Sequence, residues 1–250
     1  PHSGQTFNML KVCPECGRAV SEYAEMCPNC GLPVSLFEKA FASKKTCTAT
    51  EVDLGLPSGT IWASCNVGAK SAYDIGAYYA WGDCRVKEEY TWDNYKYYLG
   101  ELKEGWQTYP RLAKYVCHRR LGIVDDKSYL ELIDDPATQI MGSQWCTPSY
   151  DQQEELLKCC KIQKEDSKGV SGYRVIGPNG NSLFFVNSGY FVGDKMLRIE
   201  SPVLWLNRAN PYGYENATCF LIMRNIGYTI ATMSPKRCCG LPIRPVLRKY

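Results

Sequence analysis

The chain has 250 residues, 45% of them hydrophobic and 22% charged, with a formal net charge of only +3. That balance describes an ordinary soluble globular protein with ample chain for one sizeable domain, and it argues against an extended nucleic-acid face. No apolar run approaches the roughly 20 residues of a membrane span and no leader pattern is visible, so we expect no membrane span and a cytoplasmic location.

Cys13-Pro-Glu-Cys16 and Cys27-Pro-Asn-Cys30 are two Cys-x-x-Cys pairs separated by ten residues, a spacing that closes one tetrahedral thiolate site around Zn. Gly17 and Gly31 follow the pairs, where a tight turn lets backbone N–H groups point back at the sulfurs. Four thiolates leave no ligand position open to water or substrate, so the expected zinc is structural. A segment this short buries too little apolar surface to fold alone, and metal binding would supply about 10–16 kcal/mol in apparent terms. The knuckles resemble the zinc-ribbon modules at the start of many bacterial proteins, over residues 10–34. Such modules mediate protein contacts or, occasionally, nucleic-acid binding. Arg18, Glu22 and Glu25 mix both signs without a basic stripe, so we expect docking on a partner or self-association and no nucleic acid. The remaining ten cysteines, 14 minus 4, read as free thiols of a reducing compartment.

Residues 35–50 open with an apolar stretch around Leu36–Phe41, a candidate short helix, and continue into a polar linker. Residues 51–250 then form one domain. Val52–Gly59 and Thr60–Cys65 predict a turn-punctuated strand pair, and Ala77–Gly82 an aromatic strand or loop. The stretch 82–128 has no clear period and predicts mostly irregular structure. Asp134-Asp135-Pro136 starts a helix ending near Gly142, and Ser149-Tyr-Asp-Gln152 is a capping box for a second running to about Cys160. Tyr173–Ile176 and Leu183–Val186 flank an Asn-Gly step that predicts a hairpin. Phe220–Met223, Tyr228–Met233 and Leu241–Leu247 are candidate closing strands. This order predicts an α+β fold.

Within that order, Val52-Asp-Leu-Gly-Leu-Pro-Ser-Gly59, Trp62-Ala-Ser-Cys65-Asn-Val-Gly-Ala69, Tyr79-Ala-Trp81-Gly-Asp83, Leu130-Glu-Leu-x-Asp134-Asp135, Trp145-x-x-Pro148 and Gly240-Leu-Pro-Ile-Arg244-Pro-Val246 resemble the Fibrobacter succinogenes major paralogous domain. The resemblance implies a C-type-lectin-like fold, shared with formylglycine-generating enzymes, whose helix start here departs in Cys146-Thr147-Pro148-Ser149 and in Gln153, where an aromatic is usual. It also implies that residues 204–239 form the exposed, variable face, which diversity-generating retroelements rewrite in some members. Leu206, Asn207, Arg208, Asn210, Tyr212, Tyr214, Thr218, Arg237, Cys238 and Cys239 are the candidate contact residues for a protein or other ligand. Tyrosine offers large contact area with little rotamer loss, and arginine and asparagine supply directional hydrogen bonds.

We therefore expect a non-enzymatic binding protein. The rival is a formylglycine-generating-like oxidoreductase using Cys238-Cys239, or an adaptor acting through the ribbon. Only His2 and His118 are available as a histidine base. Asp125-Asp126 and Asp134-Asp135 lie beside turns and a helix start, where capping or solvation accounts for them. A calcium-dependent lectin site is not expected, since Trp205-Leu-Asn207 lacks the aspartate of a Trp-Asn-Asp cluster.

Overall fold

The computed structural model describes residues 10–13, 18–21, 23–29, 31, 33–36, 49–210, 215–222 and 234–249. They divide into two compact units, Pro1–Lys45 and Thr46–Tyr250. The division falls inside the stretch 35–50.

In the first unit β1 (Leu10–Val12) and β2 (Ala19–Ser21) pair antiparallel, Leu10 opposite Ser21. The Cys13 N–H donates to Arg18 O at 2.9 Å, and the Gly31 N–H to Cys27 O at 2.9 Å. Gly31 takes φ +76°, which glycine reaches without Cβ strain. A Met26–Pro33 bridge returns the chain, and Cys13, Val20, Cys27 and Val34 form a small core. Val34–Leu36 is a 3-10 turn, and the rest of the candidate helix at Leu36–Phe41 lies outside the described residues.

The second unit is mostly β-sheet, with two α-helices among the described residues. β3 (Glu51–Asp53) and β4 (Ile61–Ala63) form the expected antiparallel pair. The stretch 82–128 is mostly irregular, as expected, but it contains the unexpected hairpin of β5 (Tyr98–Glu104) and β6 (Gln107–Leu112). Its strands are mostly exposed or half-buried, so no apolar alternation announces them.

α1 (Pro136–Met141) starts where proline costs nothing, because the first helical N–H has no partner in any case. Its cap, Asp135, accepts from Ala137 N–H (3.0 Å), the Thr138 hydroxyl (2.9 Å), Thr147 N–H (3.0 Å) and the Thr147 hydroxyl (2.6 Å). That ties the helix to β7 (Trp145–Cys146). α2 (Tyr150–Cys159) begins with the predicted capping box: Gln152 N–H donates to Ser149 Oγ at 3.2 Å, and Ser149 N–H to Gln152 Oε1 at 2.9 Å.

β8 (Lys161–Ser167), β9 (Val170–Ile176) and β10 (Ser182–Val186) form an antiparallel sheet, with the last two making the predicted hairpin. β11 (Tyr190–Val192) pairs with β12 (Lys195–Leu197). β13 (Val203–Ala209) pairs with β14 (Ala217–Leu221). The last strand, β15 (Val246–Leu247), inserts between β4 and β7, so the unit's first and last strands share one sheet. Of the candidate strand Leu241–Leu247 only this end is a strand; Leu241 is held by a single bridge to Tyr79. Tyr228–Met233 lie outside the described residues.

The β13–β14 ribbon is the wall between two apolar clusters. Val203, Trp205, Cys219 and Leu221 join one with Tyr79, Trp81 and Tyr115. Leu204, Leu206 and Phe220 join the other with Trp62, Leu156 and Phe185. The alternation follows from the two-residue strand period. Tryptophan indoles stitch the wall in place, Trp205 Nε1 donating to Tyr79 O (2.7 Å) and Trp81 Nε1 to Leu206 O (2.9 Å).

Candidate functional site

The end of the β13–β14 ribbon is irregular. Trp205 opposes Cys219 and Ala209 opposes Ala217, so β13 spends four steps where β14 spends two. The surplus residues form a bulge, a device that re-aims side chains at the end of a sheet. Leu206, Asn207 and Arg208 occupy it. Both backbone groups of Asn207 bond outside the ribbon, its N–H donating to Pro148 O (2.9 Å) and its carbonyl accepting from Leu130 N–H (2.9 Å), and the neighbouring Ala209 N–H donates to Ser128 O (2.8 Å). Pro148 immediately precedes the α2 cap, so that helix start holds the bulge.

Asn207, Arg208, Asn210 and Thr218 are half-buried. The Arg208 guanidinium lies 5.4 Å from the Tyr129 ring centroid. Thr218 Oγ1 donates to Arg208 O at 2.7 Å, and Asn210 Nδ2 donates to Ser234 Oγ at 2.5 Å. Asn207 Oδ1, Arg208 Nε and Asn216 Oδ1 are buried without a hydrogen-bond partner. Three such atoms in one bulge and its facing strand are costly, about 1–3 kcal/mol each. Tyr129 and Asn216 are members of this face that the sequence reading missed. Tyr129 is 54% exposed and meets Arg208 across 79 positions, by a backbone bridge and by its ring, which no local pattern reports.

The structure moves four candidates away from the surface. Leu206 is fully buried because its side chain alternates into the α2 side of the wall. Arg237 is fully buried, with Nη1 donating to Tyr115 O (2.7 Å), Nε to Asn216 O (3.2 Å), and the guanidinium 5.3 Å from the Trp81 ring centroid. Cys238 and Cys239 pack in the cluster of Trp81 and Trp205, and Cys239 N–H donates to Lys236 O at 2.9 Å. Donation from Cys238 lowers the Cys239 pKa, while that bond and burial push Cys238 up. Tyr212 and Tyr214 lie outside the described residues.

The acidic pairs are engaged in the fold. Asp134 is buried and bonded by Lys96 Nζ (2.7 Å), Lys114 Nζ (2.5 Å) and the Tyr115 hydroxyl (2.7 Å). Burial raises its pKa, but Lys96 and Lys114 outweigh that and hold the carboxyl below its ordinary value. Asp135 has no such cation, and burial raises it despite the bonds from Thr147, Thr138 and Ala137. Asp125 accepts from Tyr115 N–H (2.8 Å) and Val116 N–H (2.9 Å).

Cys13 and Cys27, one from each Cys-x-x-Cys pair, are both buried in one small core. Cys16 and Cys30 lie outside the described residues, and among the described residues no cluster of three or more metal-ligating side chains is found. No described helix is long and apolar enough to cross a membrane.

No family model, no curated protein and no solved structure matches the chain.

Proposed function

We propose that the protein is a non-enzymatic binding protein whose second unit is a C-type-lectin-like scaffold and whose contact surface is the bulged end of the β13–β14 ribbon. The observation that carries this reading is the bulge itself: half-buried Asn207, Arg208, Asn210 and Thr218 beside exposed Tyr129, with polar atoms of Asn207, Arg208 and Asn216 left unpartnered. Enclosed polar atoms without a partner gain hydrogen bonds when a ligand repacks the half-buried side chains that carry them. The scaffold reading draws support from the shared first and last strands, which close the domain on one sheet and leave its connections free for recognition. Leu206, Arg237, Cys238 and Cys239 serve this surface from beneath.

In the same proposal the first unit is a zinc ribbon held by Cys13, Cys16, Cys27 and Cys30, which docks the chain on a partner or on a second copy. The metal would crosslink two knuckles that carry little apolar core of their own.

The test is capture of protein ligands by immobilised full-length protein, with crosslinking groups placed at Asn210 and Thr218 and, as control, at exposed Lys195. Crosslinks confined to the first two positions, with capture falling at least about tenfold in Arg208→Ala, are expected. Equal capture by Arg208→Ala and by wild type would overturn the assignment of this face.

A further inference from the structure

A cleft of about 560 Å³ opens between Tyr78 and the β10–β12 segment, away from the residues assigned above and within the range of small-molecule sites. Ile75, Tyr78, Met196 and Ile199 form its apolar walls. The walls are held before any ligand arrives. The Tyr78 hydroxyl donates to Ser188 O at 2.7 Å and its ring meets Phe191 edge-on at 4.8 Å. Ser188 in turn is stitched to Val203, its hydroxyl donating to Val203 O (3.1 Å) and accepting from Val203 N–H (2.9 Å). Gly189 takes φ +55°, and a Cβ there would lie 2.4 Å from Leu197 O, so only glycine permits this close approach of the two chain segments.

Two polar groups of the lining are unspent. Asn187 Oδ1 is buried and has no hydrogen-bond partner, although its backbone N–H is satisfied by Ser171 O at 3.0 Å. Arg198 is exposed and has no ion-pair or hydrogen-bond partner among the described residues. The neighbouring acid, Glu200, is committed elsewhere, 3.0 Å from Lys164 Nζ. The cleft is therefore lined by Asn187, whose Oδ1 is enclosed and unpaired, by one unpaired guanidinium and by an apolar wall.

We infer that this cleft binds an apolar α-amino acid residue bearing a free carboxylate. The carboxylate takes the Arg198 fork, which suits planar two-oxygen anions. Rotation of the half-buried Asn187 side chain turns its enclosed Oδ1 to the α-nitrogen, whose donated bond removes the cost of that unpaired acceptor. An aliphatic or aromatic side chain lies against the wall that Tyr78 and Met196 form together, the Met196 sulfur 4.0 Å from the Tyr78 hydroxyl, where sulfur and ring both favour it. A free amino acid and the C-terminal residue of a peptide share this chemistry. The site is independent of the β13–β14 face, so either assignment can fail without the other.

Calorimetric titration of the full-length protein with L-phenylalanine, N-acetyl-L-phenylalanine and L-phenylalaninamide tests the inference. Saturable binding of at least one acid is expected, with the amide at least about tenfold weaker, because only the acids carry the group that Arg198 reads. Tighter binding of L-phenylalanine identifies a free amino acid; tighter binding of the acetylated acid identifies a peptide C-terminus. Arg198→Ala, at an exposed position, should weaken the acids by about tenfold with an unchanged Tm. Met196→Trp, which fills the cleft, should abolish binding. No heat from either acid at about 5 mM, an amide that binds equally well, or unaltered affinity in Arg198→Ala would overturn the inference.

Discussion

Gln153 occupies the buried face of α2, one turn before Leu156, and it is fully buried with both Nε2 and Oε1 lacking a partner. A side chain amide in that state has lost its water and gained nothing in return, at about 1–3 kcal/mol for each unsatisfied polar atom. Methionine matches glutamine in length and carries a similar rotamer entropy cost, so Gln153→Met removes the polar atoms while keeping the shape. The gross gain of about 2–6 kcal/mol is reduced by imperfect fit of the sulfur against the β13–β14 wall, and we expect a net stabilisation of about 2 kcal/mol. For a unit of this size that is a rise in Tm of about 4–8 °C. Calorimetry and urea unfolding of the full-length protein should agree on the sign, with an unchanged urea slope showing that the unfolded state is not the cause. A Tm equal to or below that of wild type would refute the reasoning, since it would show that the amide holds a group the fold needs.

Two further predictions concern the buried acids and the cysteines. Asp134 lies below its ordinary value of 3.8, so its stabilisation is present above pH 3.8 and is lost as pH falls through the folded-state value. Asp135 lies above 3.8, so its contribution is present below pH 3.8 and is lost as pH rises through its folded-state value. Asp134→Asn should therefore flatten the acid limb of Tm against pH and Asp135→Asn should steepen it; changes in the same direction would contradict the assignment. Chelation of zinc should open residues 10–34 to proteolysis and, if the ribbon self-associates, halve the size measured by light scattering. Cys13→Ser and Cys27→Ser should each lose the metal, and a zinc content unaffected by either would remove the ribbon from the proposal.

What was legible in the sequence was local chemistry. The Asp135 cap with Pro136, the Ser149–Gln152 box and the Asn-Gly hairpin between β9 and β10 each specify a turn or a helix start within a few residues, and the structure has all three. β8 was not legible, because Lys161-Ile-Gln-Lys-Glu-Asp-Ser buries only Ile162 and shows no apolar alternation. The β5–β6 hairpin failed for the same reason: its turn rests on Gly105 at φ +59° beside Trp106, a signal too weak without apolar strands on either side. Boundaries near the end drifted because Leu241 and Ile243 are buried by single bridges and loop bonds and not by a continuous ladder.

The candidate face divides along the same line. Residue types suited to contact were visible in sequence, but which of them reach the surface depends on the strand period and on the bulge. Leu206 sits one position after Trp205 and therefore faces the opposite core, while the surplus residues of β13 carry Asn207 and Arg208 out of register with β14. Arg237 shows the same principle from the other side. A guanidinium is expected in water, yet here it stacks on Trp81 and donates to Tyr115 O and to Asn216 O, which also accepts from Asn210 N–H at 3.0 Å. Its donation to Asn216 O fixes the strand that faces the bulge. On the proposed assignment the arginine serves the contact surface by positioning Asn216 and not by touching a ligand. In that proposal a residue read as a contact belongs to the same site although its side chain is wholly enclosed.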